Sequence, residues 1–270
     1  RTTTIEQFHQ CVDFIAHWKD SKVPVVYEAK PLFAGIVWAN QVKTCTGIKI
    51  GYNIDEESGA VHAWFSLPGG YFHQIDALDH WRICSGLDNV WNFKCNRIDW
   101  KVRDLSRIKT PTEIYQYCLD GNVALVRKYE IAGSGSVGFQ PTMTTYLGSR
   151  QSEKFLRIYD AKPVHDVDAI DWELQCRDEK AQITFKAFCA IQCNYIDENG
   201  YEQYDADITH DLVAKFIAST VSGAVDFVYR TDKNLSRCKR LDWWEEFCNA
   251  CGGRLRMPCG RSSPTLQKTL

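Results

Sequence analysis

Apolar positions recur at helical spacing in TTIEQFHQCVDFIAHWK (3–19), where Ile5, Phe8, Val12, Ile15 and Trp18 share a face behind a threonine able to cap it. Strands are then predicted for TGIKIGYN (46–53) and AVHAWFSL (60–67), joined by a Glu-Ser-Gly turn and closed by Leu-Pro-Gly-Gly. A helix is expected over 71–87. NFKCNRIDWKVRD (92–104) alternates as a strand, and TPTEIYQYCLDG (110–121) is framed by Thr-Pro and Gly as a short helix. ALVRKYEI (124–131) reads as a strand and AGSGSVGFQ (132–140) as a loop. Three further strands follow at 143–149, 153–162 and 169–177. The stretches EKAQITFKAFCAIQCN and HDLVAKFIASTVSGAV read as helices. Adjacent strands interleaved with helices predict an α+β domain on a mixed or antiparallel sheet, helices on one face, running to about residue 230. A basic tail, 231–270, is expected to follow.

Side chains alternate across a strand, so three of these strands can be read face by face. In RIDWKVR, Ile98, Trp100 and Val102 are apolar, while Arg97, Asp99, Lys101 and Arg103 are opposite. In FLRIYDAK, Leu156 and Ile158 share one face; Phe155, Arg157 and Tyr159 share the other. In IDWELQCR, Ile170, Trp172, Leu174 and Cys176 oppose Asp171, Glu173, Gln175 and Arg177. If these strands are neighbours, Asp99, Tyr159 and Glu173 meet on one polar face, with Trp100, Ile158 and Trp172 under helices. Two carboxylates suit a hard divalent cation, Mg²⁺ or Mn²⁺, held through oxygen. A phenol with pKa near ~10 needs a base or metal to become a nucleophile, and Arg or Lys beside it can grip phosphates. The same pattern also suits a solvated sheet face laced with cross-strand ion pairs.

A net charge of −2 does not advertise a polyanion partner, but its distribution does. Residues 230–270 carry nine Lys/Arg against four acids, and RIDWKVRDLSRIK (97–109) is also rich in bases. The 12 cysteines are scattered and no secretion signal precedes them, so reduced cytosolic thiols are expected. Cys238, Cys248, Cys251 and Cys259 contain one Cys-x2-Cys pair but not the second close pair of a zinc ribbon. No run reaches the ~18 apolar residues of a membrane span. The start, RTTTIEQFHQ, lacks an initiator Met, and a fragment trimmed at both ends is expected.

The string TTYLGSRQSEKFLRIYDAK (144–162) resembles the signature of the Rep_trans replication-initiation family of rolling-circle plasmid and phage initiators and conjugative-element relaxases. NRIDWKVRD upstream, DWELQCRDEKA downstream, AVHAWFSLPGG, DFVYR and LDWWEEF are similar to its other segments. The resemblance implies an HUH-like nickase architecture and a DNA nicking-closing activity. It makes Tyr159 the nucleophile that forms a 5′-phosphotyrosine. It makes Asp99 and Glu173 metal ligands, with Asp104 a third acid, although simple alternation puts Asp104 on the opposite face. Arg157 and Lys162 would contact the scissile phosphate; Ala161 separates Lys162 from the Tyr-Asp pair it follows in the family. Tyr146 is the rival nucleophile. Arg97, Lys101, Arg103, Arg150, Lys154 and Arg177 are candidate DNA contacts. The implied cofactor is Mg²⁺ or Mn²⁺. The implied partners are DNA, as an origin hairpin and single-stranded nick site, and a helicase; a homodimer is admitted, a membrane is not, and a cytoplasmic location is expected. Two other readings remain open: an origin-binding protein that does not cut, and a metal-dependent phosphodiesterase that uses water.

Overall fold

The computed structural model describes residues 4–17, 25–27, 32–33, 36–37, 40–43, 47–72, 75–135, 137, 142–192, 194–196, 198–199 and 202–255. The chain divides into two compact units, residues 1–94 with 186–213, and residues 95–185 with 214–270.

The first unit opens with α1 (Ile5–His17), then β1 (Val25–Tyr27), β2 (Leu32–Phe33), β3 (Ile36–Val37), β4 (Asn40–Lys43), β5 (Lys49–Ile54) and β6 (Val61–Ser66), followed by α2 (Gly69–Phe72) and α3 (Ala77–Asn89). Thr4 caps α1 reciprocally: its Oγ1 accepts from Gln7 N at 3.2 Å, and its N–H donates to Gln7 Oε1 at 3.1 Å. The antiparallel sheet β1-β4-β5-β6 sets Ile50 and Tyr52 into a core shared with Phe8, Val12 and Ile15 of α1. The rings of Phe8 and Tyr52 lie 4.6 Å apart, and Tyr71 donates to the Ile15 carbonyl at 3.2 Å. The predicted turn is present, with Asp55 Oδ1 accepting from the N–H and hydroxyl of Ser58. The single helix expected over 71–87 is instead two. Asp76 accepts from Asp79 N at 2.8 Å and so starts α3 afresh.

The second unit is built on β7 (Arg97–Asp104), α4 (Pro111–Leu119), β8 (Val123–Ala124), β9 (Tyr129–Ser134), β10 (Thr142–Leu147), β11 (Lys154–Asp160), α5 (Lys162–His165), β12 (Ile170–Arg177) and α6 (Asp178–Cys189). A hairpin that belongs to the first unit, β13 (Asn194–Ile196) with β14 (Glu202–Tyr204), then precedes α7 (Ala206–Ser222), and the second unit closes with β15 (Asp226–Phe227) and α8 (Asp242–Ala250). Five strands form one fully antiparallel sheet in the order β7-β12-β11-β10-β9. The strand expected over 124–131 is broken into β8 and β9, because Leu125 turns to φ +70° and cannot continue an extended run. Thr110 begins α4 through a capping box with Glu113, and Pro111 sits where no helical N–H is needed.

One face of this sheet is the core. Ile158, Trp172 and Leu174 are fully buried, and Trp100 nearly so. Helices cover them. The Trp100 indole donates to Thr184 Oγ1 of α6 at 3.3 Å and meets Phe216 of α7 edge-on. Trp172 packs on Trp244 and Phe247 of α8 at 5.7 and 4.9 Å between ring centres. Truncating such a buried tryptophan costs about 3–5 kcal/mol. The segment after residue 230, read from the sequence as a tail, thus contributes α8 to this core. Asp226, itself buried, anchors it further by accepting from Arg240, Arg254 and the Trp244 indole at 2.7–3.0 Å. Among the described residues no helix is long and apolar enough to cross a membrane.

Candidate active site

The other face of the sheet carries the polar side chains, and the strand register lines them up in rows. Thr144, Tyr159, Asp171 and Arg103 form one row across β10, β11, β12 and β7. Tyr146, Arg157, Glu173 and Lys101 form the next; Phe155, Gln175 and Asp99 form a third, with Arg177 facing Arg97 beyond them. The alternation that buries Trp100, Ile158 and Trp172 therefore brings Asp99, Tyr159 and Glu173 together on the opposite side, as the sequence pattern predicts.

The Tyr159 hydroxyl donates to Glu173 Oε2 at 3.1 Å. Arg157 lies between the two expected metal ligands: its Nη2 is in contact with Glu173 Oε1 and stands 3.7 Å from Asp99 Oδ2. Asp99 also accepts from Arg97 Nε and Nη2 at 3.0 and 2.6 Å and from Gln175 Nε2 at 3.2 Å. Asp171, beside Tyr159 in its row, is fully buried. It accepts a two-pronged pair of bonds from Arg103 at 2.8 and 2.9 Å, with Lys101 at 3.4 Å and the His165 imidazole at 3.6 Å.

These contacts set the protonation states. Burial, then the nearby Glu173 and Asp171 carboxylates, push the Tyr159 phenol far above its ordinary value, with Arg157 opposing only in part. The Tyr159 phenol therefore rests as a neutral hydroxyl, hydrogen-bonded to the Glu173 carboxylate. Burial alone would raise the Asp171 carboxyl, but the bonds from Arg103 and the charge of Lys101 outweigh it and hold it below the usual range. His165 is pushed down by burial and by Lys101, which keeps the ring neutral near pH 7.

The other expected site residues are distributed unevenly. Asp104 faces the helices and is buried; its carboxylate closes the turn after β7 by accepting from Ser106 N, Ser106 Oγ and Ile108 N at 2.9, 2.5 and 2.8 Å. It does not join Asp99 and Glu173, since an even position cannot share a face with odd ones on an unbulged strand. Lys154 registers with Cys176 and so also belongs to the reverse face. Lys162 is exposed at the start of α5, its N–H donating to Asp160 Oδ1 at 3.0 Å, and no contact ties it to Tyr159. Arg150 lies 4.0 Å over the Tyr146 ring and pairs with Glu130; Arg177 donates to the Arg150 carbonyl and to Gln175. The sequence reading passed over Asp171, Gln175 and His165. The first two share the parity of Glu173, a signal already present. His165 sits in a four-residue helix with no periodicity to reveal it.

The donor set at the face is all oxygen, which fits a hard divalent cation in type. Its arrangement is different: each oxygen of Asp99 and Glu173 already accepts a hydrogen bond, and the Arg157 guanidinium stands between them. Among the described residues no group of three or more His, Cys, Asp or Glu is placed to hold a metal. Cys248 and Cys251 are buried, their thiols pushed up by burial to about 12 and about 11; Cys259 lies outside the described residues.

The five-stranded antiparallel sheet with helices on one face defines a fold class that a comparison with solved structures identifies. The structure of a rolling circle replication initiator protein from Geobacillus stearothermophilus matches with a TM-score of 0.65 over 94% of this chain and 91% of that one, at 14% sequence identity. At that identity the likeness is one of fold. The sequence adds the family: the Rep_trans model, replication initiation factor, matches residues 93–270, and the chain belongs to that family. A search of curated proteins finds no match.

Proposed function

We propose that this chain is a rolling-circle initiator that nicks one DNA strand with Tyr159 and later rejoins it. The observation that carries this reading is the hydrogen bond from the Tyr159 hydroxyl to Glu173, on a sheet face flanked by Arg157, Arg103 and Lys101. As the Tyr159 oxygen bonds to the scissile phosphorus, its proton passes to Glu173. The P–O3′ bond breaks, and the departing 3′-oxygen takes up a proton. The products are a 5′-phosphotyrosine and a free 3′-hydroxyl, and the phosphotyrosine bond keeps the energy needed to reseal the strand. Arg157 is positioned to steady the phosphate. Its Nε is buried without a hydrogen-bond partner among the described residues, a cost of about 1–3 kcal/mol that turning toward a phosphate would recover.

Asp99 and Glu173 would hold Mg²⁺ or Mn²⁺ once Arg157 leaves the space between them, and the cation would offset the charge that develops on the phosphate. Water-based hydrolysis is disfavoured by the same contact: the base it would need is already bonded to a phenol. An initiator that binds without cutting would have no use for a hydroxyl and a carboxylate so paired. The test mixes the protein with labelled single strands drawn from the DNA flanking its gene. Tyr159→Phe keeps the ring, so binding should persist while the covalent product is lost. A covalent product from Tyr159→Phe but none from Tyr146→Phe would move the nucleophile to Tyr146.

A further inference from the structure

The reverse face of the same sheet holds a cleft of about 230 Å³ at its β9 edge. Tyr129 of β9 registers with Leu147 of β10, and Leu147 with Leu156, which places them on the helix-covered side, away from Tyr159. Val123, Val126, Leu147 and Leu235 line the cleft with apolar surface, together with the half-exposed Tyr129, Arg127 and Arg230. No acid lines it, and among the described residues neither arginine is in an ion pair. Both arginines are exposed, whereas the more buried Arg103, Arg107, Arg240 and Arg254 each have a carboxylate. The Arg230 side chain lies against the turn that ends α4. Gly121 ends α4 at φ +73°, and a Cβ there would fall 2.5 Å from Arg230 Nη1. That left-handed turn itself calls for glycine, and the tip of the flexible Arg230 side chain rests beside it.

An exposed tyrosine, an apolar lining and two arginines without a carboxylate suit a flat heterocycle bearing a phosphate. The volume is below the ~300–1,000 Å³ of a drug-sized site and suits a single ring system. We propose that this cleft is a second DNA contact, which takes one unpaired nucleotide of a strand passing around the β9 edge from the reaction face. Its base lies on the Tyr129 and leucine surfaces and its phosphate between Arg127 and Arg230. The proposal rests on the DNA reading above, and it gives a role to Arg230, a base that the reaction face does not use.

Oligothymidine strands of increasing length, titrated by fluorescence anisotropy at several salt concentrations, test it. Wild-type affinity should rise once the strand is long enough to leave the reaction face and round the sheet edge. Arg127→Ala/Arg230→Ala should lose that increment, roughly tenfold. Its slope of log affinity against log salt should be smaller by about 0.7, the value of one neutralised phosphate on a single strand. Cleavage of a short strand should be unchanged. Arg127→Lys/Arg230→Lys should keep most of the slope. The proposal is overturned if the double alanine variant binds long strands like wild type, or if the lysine variant loses as much as the alanine one. Failure of wild type to bind any strand would instead overturn the DNA reading itself.

Discussion

Replacing Glu173 with Gln removes a charge while keeping the size of the side chain and its ability to accept from Tyr159. Two consequences follow from the 3.1 Å contact. The variant has no carboxylate to receive the phenolic proton, and general-base assistance contributes about 10²–10⁴ in rate. At ~1.36 kcal/mol per decade this is about 2.7–5.4 kcal/mol of barrier. The phenol itself should also ionise more readily, because Glu173 is the largest cause of its raised pKa after burial. Single-turnover cleavage of a labelled strand, run from neutral to alkaline pH, reads both. Wild type should cleave at pH 7 with little further gain. Glu173→Gln should be slower there by the stated factor and should gain close to tenfold per pH unit, as hydroxide populates the phenolate directly. Strand affinity should change little. If Glu173→Gln cleaves at the wild-type rate at pH 7, Glu173 is not the base and the hydrogen bond is merely structural.

Asp171→Asn strips the carboxylate from Arg103, Lys101 and His165. Its partners are about a quarter exposed, so the loss is put below the full buried-pair cost, at about 1–3 kcal/mol, or roughly 2–12 °C in thermal midpoint. Because the folded pKa is depressed, this stabilisation is complete above the unfolded value near ~3.9 and disappears as pH falls through the folded one. The asparagine variant should therefore lose part of the acid slope seen by circular dichroism in wild type. Arg157→Met vacates the space between Asp99 and Glu173 and should raise Mn²⁺ affinity in calorimetry while lowering strand affinity; unchanged Mn²⁺ binding would show that the two acids do not share a cation. Gly223→Ala puts a Cβ 2.0 Å from the Leu255 carbonyl oxygen, a clash with backbone that should cost at least about 1–3 kcal/mol in denaturant unfolding.

The polar face was legible in the sequence because period-two alternation acts on every residue of a strand. Fixing the inward side of Trp100, Ile158 and Trp172 fixes the outward side of Asp99, Tyr159 and Glu173. Strand order and register were not legible, since they depend on long-range pairing; without them Asp171 is one more outward acid, whereas in the structure it is fully buried beneath Arg103. Asp104 shows the cost of weighing a motif above parity: alternation alone placed it correctly. The occupancy of the Asp99–Glu173 gap by Arg157 follows from the direct pairing of Arg157 with Glu173 across β11 and β12, which no single strand reveals. The division of 124–131 turned on the left-handed backbone of Leu125, an unfavourable state for a branched residue that propensity cannot foresee. The predicted helix over 71–87 divides ahead of Ala77 for a legible reason, because Asp76 three residues before Asp79 is an ordinary capping arrangement.

The most direct measurement of the central claim is to locate the covalent bond. Protein incubated with a cleavable single strand, denatured, trimmed with nuclease and digested with protease should yield one peptide heavier by a nucleotide 5′-phosphate. The reading predicts that fragmentation places this mass on Tyr159. A modified Tyr146, or cleaved DNA with free 5′-phosphate ends and no modified peptide, would contradict it.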